Sequence, residues 1–180
     1  EGLYGADNPA TTVDERYGRV EKSRRVTADQ DNCLSHKYFY QAGTGRLWYK
    51  EGYTANDWTG LKASYYYIDE AFYTDPVTGA TYGRLDKISF TTADSDGCRS
   101  YRYAYSAANP ERVVTKIGYA SGDWTGTALV TYTYFDNAAN RMESKTMSSA
   151  DIYGNDYYLF KDEGLYGADN PATTVDERYG

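Results

Sequence analysis

The chain has 180 residues and a formal net charge of −7. That balance, with no basic stripe to neutralise phosphate, excludes a nucleic-acid partner, and no apolar run approaches the ~20 residues of a membrane helix. Leu, Ile, Val and Phe number only 25, a share expected of disordered chains, but 22 tyrosines reverse that expectation, because Tyr buries a large ring while keeping a polar tip.

Tyr and Thr favour strands, so the composition predicts an ordered, Tyr-rich all-β protein. The chain carries no initiating Met and no signal peptide, and reads as a mature or excised piece. In chain order, the first clear strand carries Tyr38 and Tyr40 on one face, followed by the turn "QAGTG" (41–45) and a second strand, "RLWYK", opened by Arg46. Next come Tyr65 and Tyr67, the longer turn "TDPVTGAT" (74–81) and "RLDKISF" (84–90). The third pair has Tyr101, Tyr103 and Tyr105, then "SAANP" and "RVVTKIGY" (112–119). The fourth has Tyr132 and Tyr134, then "DNAAN" and "RMESKTM" (141–147). Each is a predicted β-hairpin with a Gly, Asn, Asp or Pro turn. Arg19, Arg46, Arg84, Arg112 and Arg141 follow one another at steps of 27, 38, 28 and 29 residues, and helical periodicity is absent.

These hairpins repeat at two levels. Residues 163–180 copy residues 1–18, "EGLYGADNPATTVDERYG", without a substitution, 162 residues apart. Inside that period, "TADQDNCLSHKYFY" (27–40) matches "TADSDGCRSYRYAY" (92–105), and "GYTANDWTG" (52–60) matches "GYASGDWTG" (118–126). The expected organisation is one continuous array over 1–180, with units of approximately 17–81 and 82–147 and a half unit at 148–178. The duplicated ends predict a longer chain repeating every 162 residues, in which Gly180 is followed by "RVEKSRR"; the rival reading is an overlap introduced artificially.

"YTYFDNAANRMESKT" (132–146) and "YRYAYSAANPERVVTK" (101–116) resemble the RHS/YD-repeat family, whose pattern is Tyr-x-Tyr-Asp, a short turn, Gly-Arg and an aliphatic strand. Asp136, Asn140-Arg141 and Gly45-Arg46-Leu47 fit the pattern best, whereas Ser106 and Gln41 stand where it has Asp. The resemblance implies hairpins laid side by side in a spiralling sheet, tube or solenoid, in proteins of the cell surface or wall. It brings no catalytic residue here: the self-cleaving aspartic core of some toxin-type relatives has no counterpart in this sequence.

Four groups of residues compete as sites. His36 is the only histidine, and its repeat position holds Tyr101, so it reads as a strand aromatic rather than one member of a Ser-His-Asp triad. Cys33 and Cys98 share one repeat position and follow no metal-ligand spacing. Two hairpins apart at ~4.8 Å per strand, they exceed the reach of a disulfide and are expected as buried thiols unless the spiral returns or they meet across chains. In Asp57-Trp58-Thr59-Gly60 and Asp123-Trp124-Thr125-Gly126 the indole could stack on a sugar ring, or Asp and Thr could form a side-chain-to-backbone turn capped by Trp; Trp58, Trp124, Asp57 and Asp123 are therefore the candidate glycan-binding residues. Trp48 stands alone and reads as strand packing. No catalytic residue, cofactor or metal ligand is assigned. The expected function is a structural one, a segment of an extracellular filament or cell-surface stalk with copies of itself as partners. The alternative is a carbohydrate-binding cell-wall module.

Overall fold

The computed structural model describes residues 20–74 and 81–160. The opening element 1–18, its copy at 163–180 and most of the 74–81 turn lie outside them. The described residues are all-β, with twelve strands and no helix. The chain divides into two compact units, Glu1–Thr92 and Ala93–Gly180.

The first unit holds β1 (Lys22–Arg24), β2 (Ser35–Tyr40), β3 (Leu47–Tyr53), β4 (Leu61–Tyr67), the short β5 (Tyr73–Thr74) and β6 (Thr81–Tyr82), and β7 (Leu85–Phe90). Its sheet runs β1-β2-β3-β4-β7, with each neighbour antiparallel. The β5–β6 pair is carried within the β4–β7 connection, and β6 touches β3 in parallel at Leu47↔Tyr82. The second unit holds β8 (Ser100–Tyr105), β9 (Val113–Tyr119), β10 (Ala128–Tyr134), β11 (Met142–Met147) and β12 (Tyr157–Leu159), joined in that order as an antiparallel meander.

The four hairpins predicted from tyrosine alternation are β2–β3, β4–β7, β8–β9 and β10–β11, and they close alike. In each, the register shifts just before the last Tyr, so Tyr40, Tyr67, Tyr105 and Tyr134 oppose Leu47, Leu85, Val113 and Met142. The next amide, of Gln41, Ile68, Ser106 or Phe135, donates to the carbonyl of Arg46, Arg84, Arg112 or Arg141 at 2.8–2.9 Å. An irregularity of this kind raises local twist, and reuse of one closure gives all four hairpins the same bend at the same place.

Cross-strand rows build the cores. One row is His36↔Gly52↔Ala63↔Phe90 in the first unit and Tyr101↔Gly118↔Val130↔Met147 in the second. A glycine is required in each: a Cβ on Gly52 or Gly118 would stand 2.5 Å from the sulfur of Cys33 or Cys98. Both thiols are fully buried and unpaired. The neighbouring row alternates rings and ammonium groups, Tyr38↔Lys50↔Tyr65↔Ile88 and Tyr103↔Lys116↔Tyr132↔Lys145↔Tyr158. Lys50 lies 4.1 Å over the Tyr65 ring, and Lys116 lies 3.9 Å over Tyr101 and 5.2 Å over Tyr132. Lysine stems pack the sheet while their charge rests on ring faces, which is how a chain with so few aliphatic residues fills an interior.

Candidate functional site

The side chains of greatest chemical interest gather in loops between strands. The loop from β1 to β2 is organised by Asp29. Its Oδ1 accepts from the amides of Asp31 (3.0 Å) and Cys33 (2.9 Å), while its own amide donates to the Cys33 carbonyl at 3.0 Å. Asn32 takes a φ of 61° and donates to the Asp29 carbonyl; Asn tolerates that left-handed conformation better than most residues. The second loop repeats every bond: Asp94 Oδ1 accepts from Asp96 and Cys98, and Gly97 takes the positive φ. A side chain replacing a helix-like cap in this way fixes the loop without regular structure.

Each loop is then tied to the sheet. In the first, Asp31 accepts from Tyr65 Oη at 2.5 Å. In the second, Asp96 accepts from Tyr132 Oη and from Lys145 Nζ, the latter at 2.7 Å. Burial opposes the Asp29 charge, but the Cys33 and Asp31 amides outweigh it and hold the carboxyl below its ordinary range. Burial likewise opposes Asp96, outweighed by Lys145 and Tyr132. The tyrosine partners move the other way: burial first, then the accepting carboxylate, pushes Tyr65 and Tyr132 well up. Burial lowers the Lys50 ammonium and raises both thiols.

A third loop of the same kind, invisible to the repeat matching, lies at 151–158. Asp151 Oδ1 accepts from Tyr153 and Asn155, Oδ2 accepts from Tyr158, and Gly154 has a φ of 82°. Its sequence, "DIYGNDYY", keeps only the organising Asp, the positive-φ residue and the final ring. The half unit at 148–178 therefore opens with this shared loop.

The two tryptophan loops connect β3 to β4 and β9 to β10. In each, Asp57 or Asp123 accepts from the amide and hydroxyl of Thr59 or Thr125, the hydroxyl bonds being 2.6 and 2.7 Å. The Thr59 hydroxyl holds the Asp57 carboxyl below its ordinary range, and Ser121 followed by Thr125 does the same for Asp123. Trp58 and Trp124 both adopt a φ of 61°, an unfavourable backbone for a bulky residue. Trp58 uses its indole to clamp an edge: Nε1 donates to the Ser23 carbonyl of β1 at 3.2 Å, and Lys22 lies 5.5 Å over the ring. Both loops carry the Asp–Thr turn, and the Asp57 and Asp123 carboxylates remain exposed at the loop tips.

The repeated arginines also act between hairpins. Arg46 reaches Asp69 at 3.0 Å and Arg112 reaches Asp136 at 3.5 Å, in each case the acid that ends the next hairpin's tyrosine strand. Arg84 pairs with Glu70 at 2.6 Å. Ser106, which stands where the family pattern has Asp, donates to Asp136 Oδ2 at 2.5 Å and accepts from the amides of Ala108 and Asn109. Trp48, read as packing from sequence, is 44% exposed, beside the ring row Phe39–Tyr49–Tyr66 with centroids 5.0 and 4.8 Å apart.

No family model matches the chain, and no curated protein does. Among solved structures the chain is similar to the Photorhabdus luminescens Tc holotoxin pore carrying a TccC3 mutation, at 15% identity and a TM-score of 0.35, over 71% of this chain and 6% of that chain. The chain thus spans a small fraction of that protein's length, and a likeness at this level carries nothing about activity or assembly.

Proposed function

We propose that this chain is a structural protein of the RHS/YD-repeat type, a tandem-hairpin segment of an extracellular filament or cell-surface stalk that is not an enzyme. The observation that supports this most directly is reuse: one loop bond pattern occurs three times and one hairpin closure four times. The family's signature residues are spent on holding neighbours together. The tyrosines tie down loops, and the Arg–Asp pairs link one hairpin to the next. Among the described residues β1 pairs only with β2, and β12 only with β11; open edges of this kind recruit further strands. The 162-residue recurrence of "EGLYGADNPATTVDERYG" would let copies continue the sheet as solenoid repeats do. Electron microscopy of chains holding one, two and three 162-residue periods tests the reading: particle length should rise in proportion to period number, and compact particles that do not lengthen would refute it.

A second reading, a module that binds wall glycan, draws on the solvent-facing rings Phe39 and Trp48, 37% and 44% exposed across β2 and β3. Flat aromatic faces suit sugar rings. Retention on wall polysaccharide that disappears in Trp48→Ala with melting unchanged would favour it over the filament.

A further inference from the structure

The β1–β2 loop differs from its two copies at the His36 position, where both copies carry Tyr. Asp29, Cys33 and His36 each offer a ligand atom, and the three atoms lie within 4.8 Å of one another. Oδ1 of Asp29 is committed to backbone amides, which leaves Oδ2 facing His36 Nε2 at 3.0 Å. The distance suits a hydrogen bond, but the alignment does not: His36 is 3% exposed and its Nε2 has no hydrogen-bond partner. A nitrogen at that depth whose one facing carboxylate is poorly aligned is incompletely satisfied. In the second unit the same slot is closed, because Tyr101 donates its hydroxyl to Asp94 Oδ2. In the third loop Asn155 replaces the cysteine and Tyr158 closes the carboxylate.

We propose that Asp29, Cys33 and His36 form a binding site for a divalent cation of the zinc class. Carboxylate oxygen, thiolate sulfur and imidazole nitrogen are the zinc donor set, whereas magnesium and calcium take oxygen alone. The cradle is preformed. The Asp29 carboxylate is oriented by two amides, and Cys33 Sγ is held 3.8 Å from the Asp31 carbonyl and against Gly52, where no Cβ fits. The charged groups facing the trio are Asp31, Lys50 and Arg25. On binding, the Cys33 S–H bond breaks and a sulfur–metal bond forms; the proton leaves to solvent and nothing is oxidised or reduced. The thiolate so formed cancels half of the incoming charge.

The test uses the whole chain and cobalt(II) as probe, read by its thiolate-to-metal charge-transfer band. One equivalent per chain is expected, displaced by Zn²⁺. The band should vanish in Cys33→Ser and in His36→Tyr, which installs the residue of the second loop, and persist in Cys98→Ser. Zn²⁺ should raise the melting temperature of the parent and of Cys98→Ser alone. X-ray absorption of the zinc-loaded parent needs no variant to fold, and should show one sulfur with nitrogen and oxygen neighbours. Absence of the band in the parent, its survival in folded His36→Tyr, or a first shell without sulfur would each overturn the proposal.

Discussion

Gly118 lies within β9, next to its last residue, without a left-handed φ, so its backbone alone gives no reason for a glycine. Replacing such a residue with Ala ordinarily stabilises by about 0.4–1 kcal/mol through the unfolded chain. Here the added Cβ would stand 2.5 Å from Cys98 Sγ, 2.7 Å from Tyr101 Cε1 and 2.8 Å from Val130 Cγ1, three side chains that are essentially fully buried. None can move without displacing another, so overpacking wins and Gly118→Ala should destabilise by about 2–3 kcal/mol. For a chain of 180 residues that lowers the melting temperature by about 4–12 °C. The equivalent Gly52→Ala meets the Cys33 sulfur at 2.5 Å, but its next neighbours lie at 3.2 and 3.5 Å. It should cost less, about 1–2 kcal/mol. Adding Cys98→Ala to Gly118→Ala removes one of the three obstacles and lets the methyl fill the space, so the pair should be non-additive in the favourable direction. Urea unfolding followed by circular dichroism measures all four variants. A neutral Gly118→Ala, a reversed order of the two glycines, or strict additivity would refute this account of why glycine and cysteine recur together.

Tyr65→Phe strips Asp31 of its tyrosine partner and should cost about 1–3 kcal/mol; Tyr132→Phe should cost less, because Lys145 still holds Asp96 at 2.7 Å, and equal losses in urea titrations would contradict the staple. Trp58→Ala should unlatch β1, seen as faster amide exchange at Lys22–Arg24, and Trp58→Gly should recover about 1 kcal/mol relative to Ala by relieving the positive φ; a glycine variant weaker than the alanine one would deny the strain. Burial first, then the Lys50 charge, pushes His36 below its ordinary value of 6.5. Below that pH the unfolded chain binds the extra proton more readily, so stability is full above 6.5 and declines as the pH falls through the region beneath it. In chelator-treated buffer, urea midpoints at about pH 7.5 and about pH 5.5 should differ for the parent and converge for His36→Tyr, both conditions lying above the carboxylate range; an equal decline in the two proteins would contradict it.

Strand positions were legible because alternating Tyr38/Tyr40, Tyr65/Tyr67, Tyr101/Tyr103 and Tyr132/Tyr134 write the period of a sheet directly into the sequence. The arginines marked where each return strand begins for a similar reason: their carbonyls receive the closing bond. The shared register shift left no mark, since it depends on backbone pairing rather than side-chain type. The third loop escaped because backbone amides, which every residue supplies, make most of its bonds; Tyr153 and Asn155 serve as well there as Asp and Cys do elsewhere. His36 was correctly placed in the slot of Tyr101, but the slot's partner, an aspartate seven residues earlier, lay outside any familiar motif. Nothing in "DWTG" announces that Trp takes the conformation usually left to glycine.

In the first unit, the loops at one end of the strands, from β1 to β2 and from β3 to β4, are spelled out residue by residue through Asp29, Asp57 and Thr59. The opposite end, where β4 passes to β7, carries the additional β5–β6 hairpin while the pairing of β4 with β7 runs on beneath it from Ala63 to Tyr67. Insertion is therefore channelled: one rim keeps its grammar from loop to loop, and the other takes a parenthetical clause without altering the sentence.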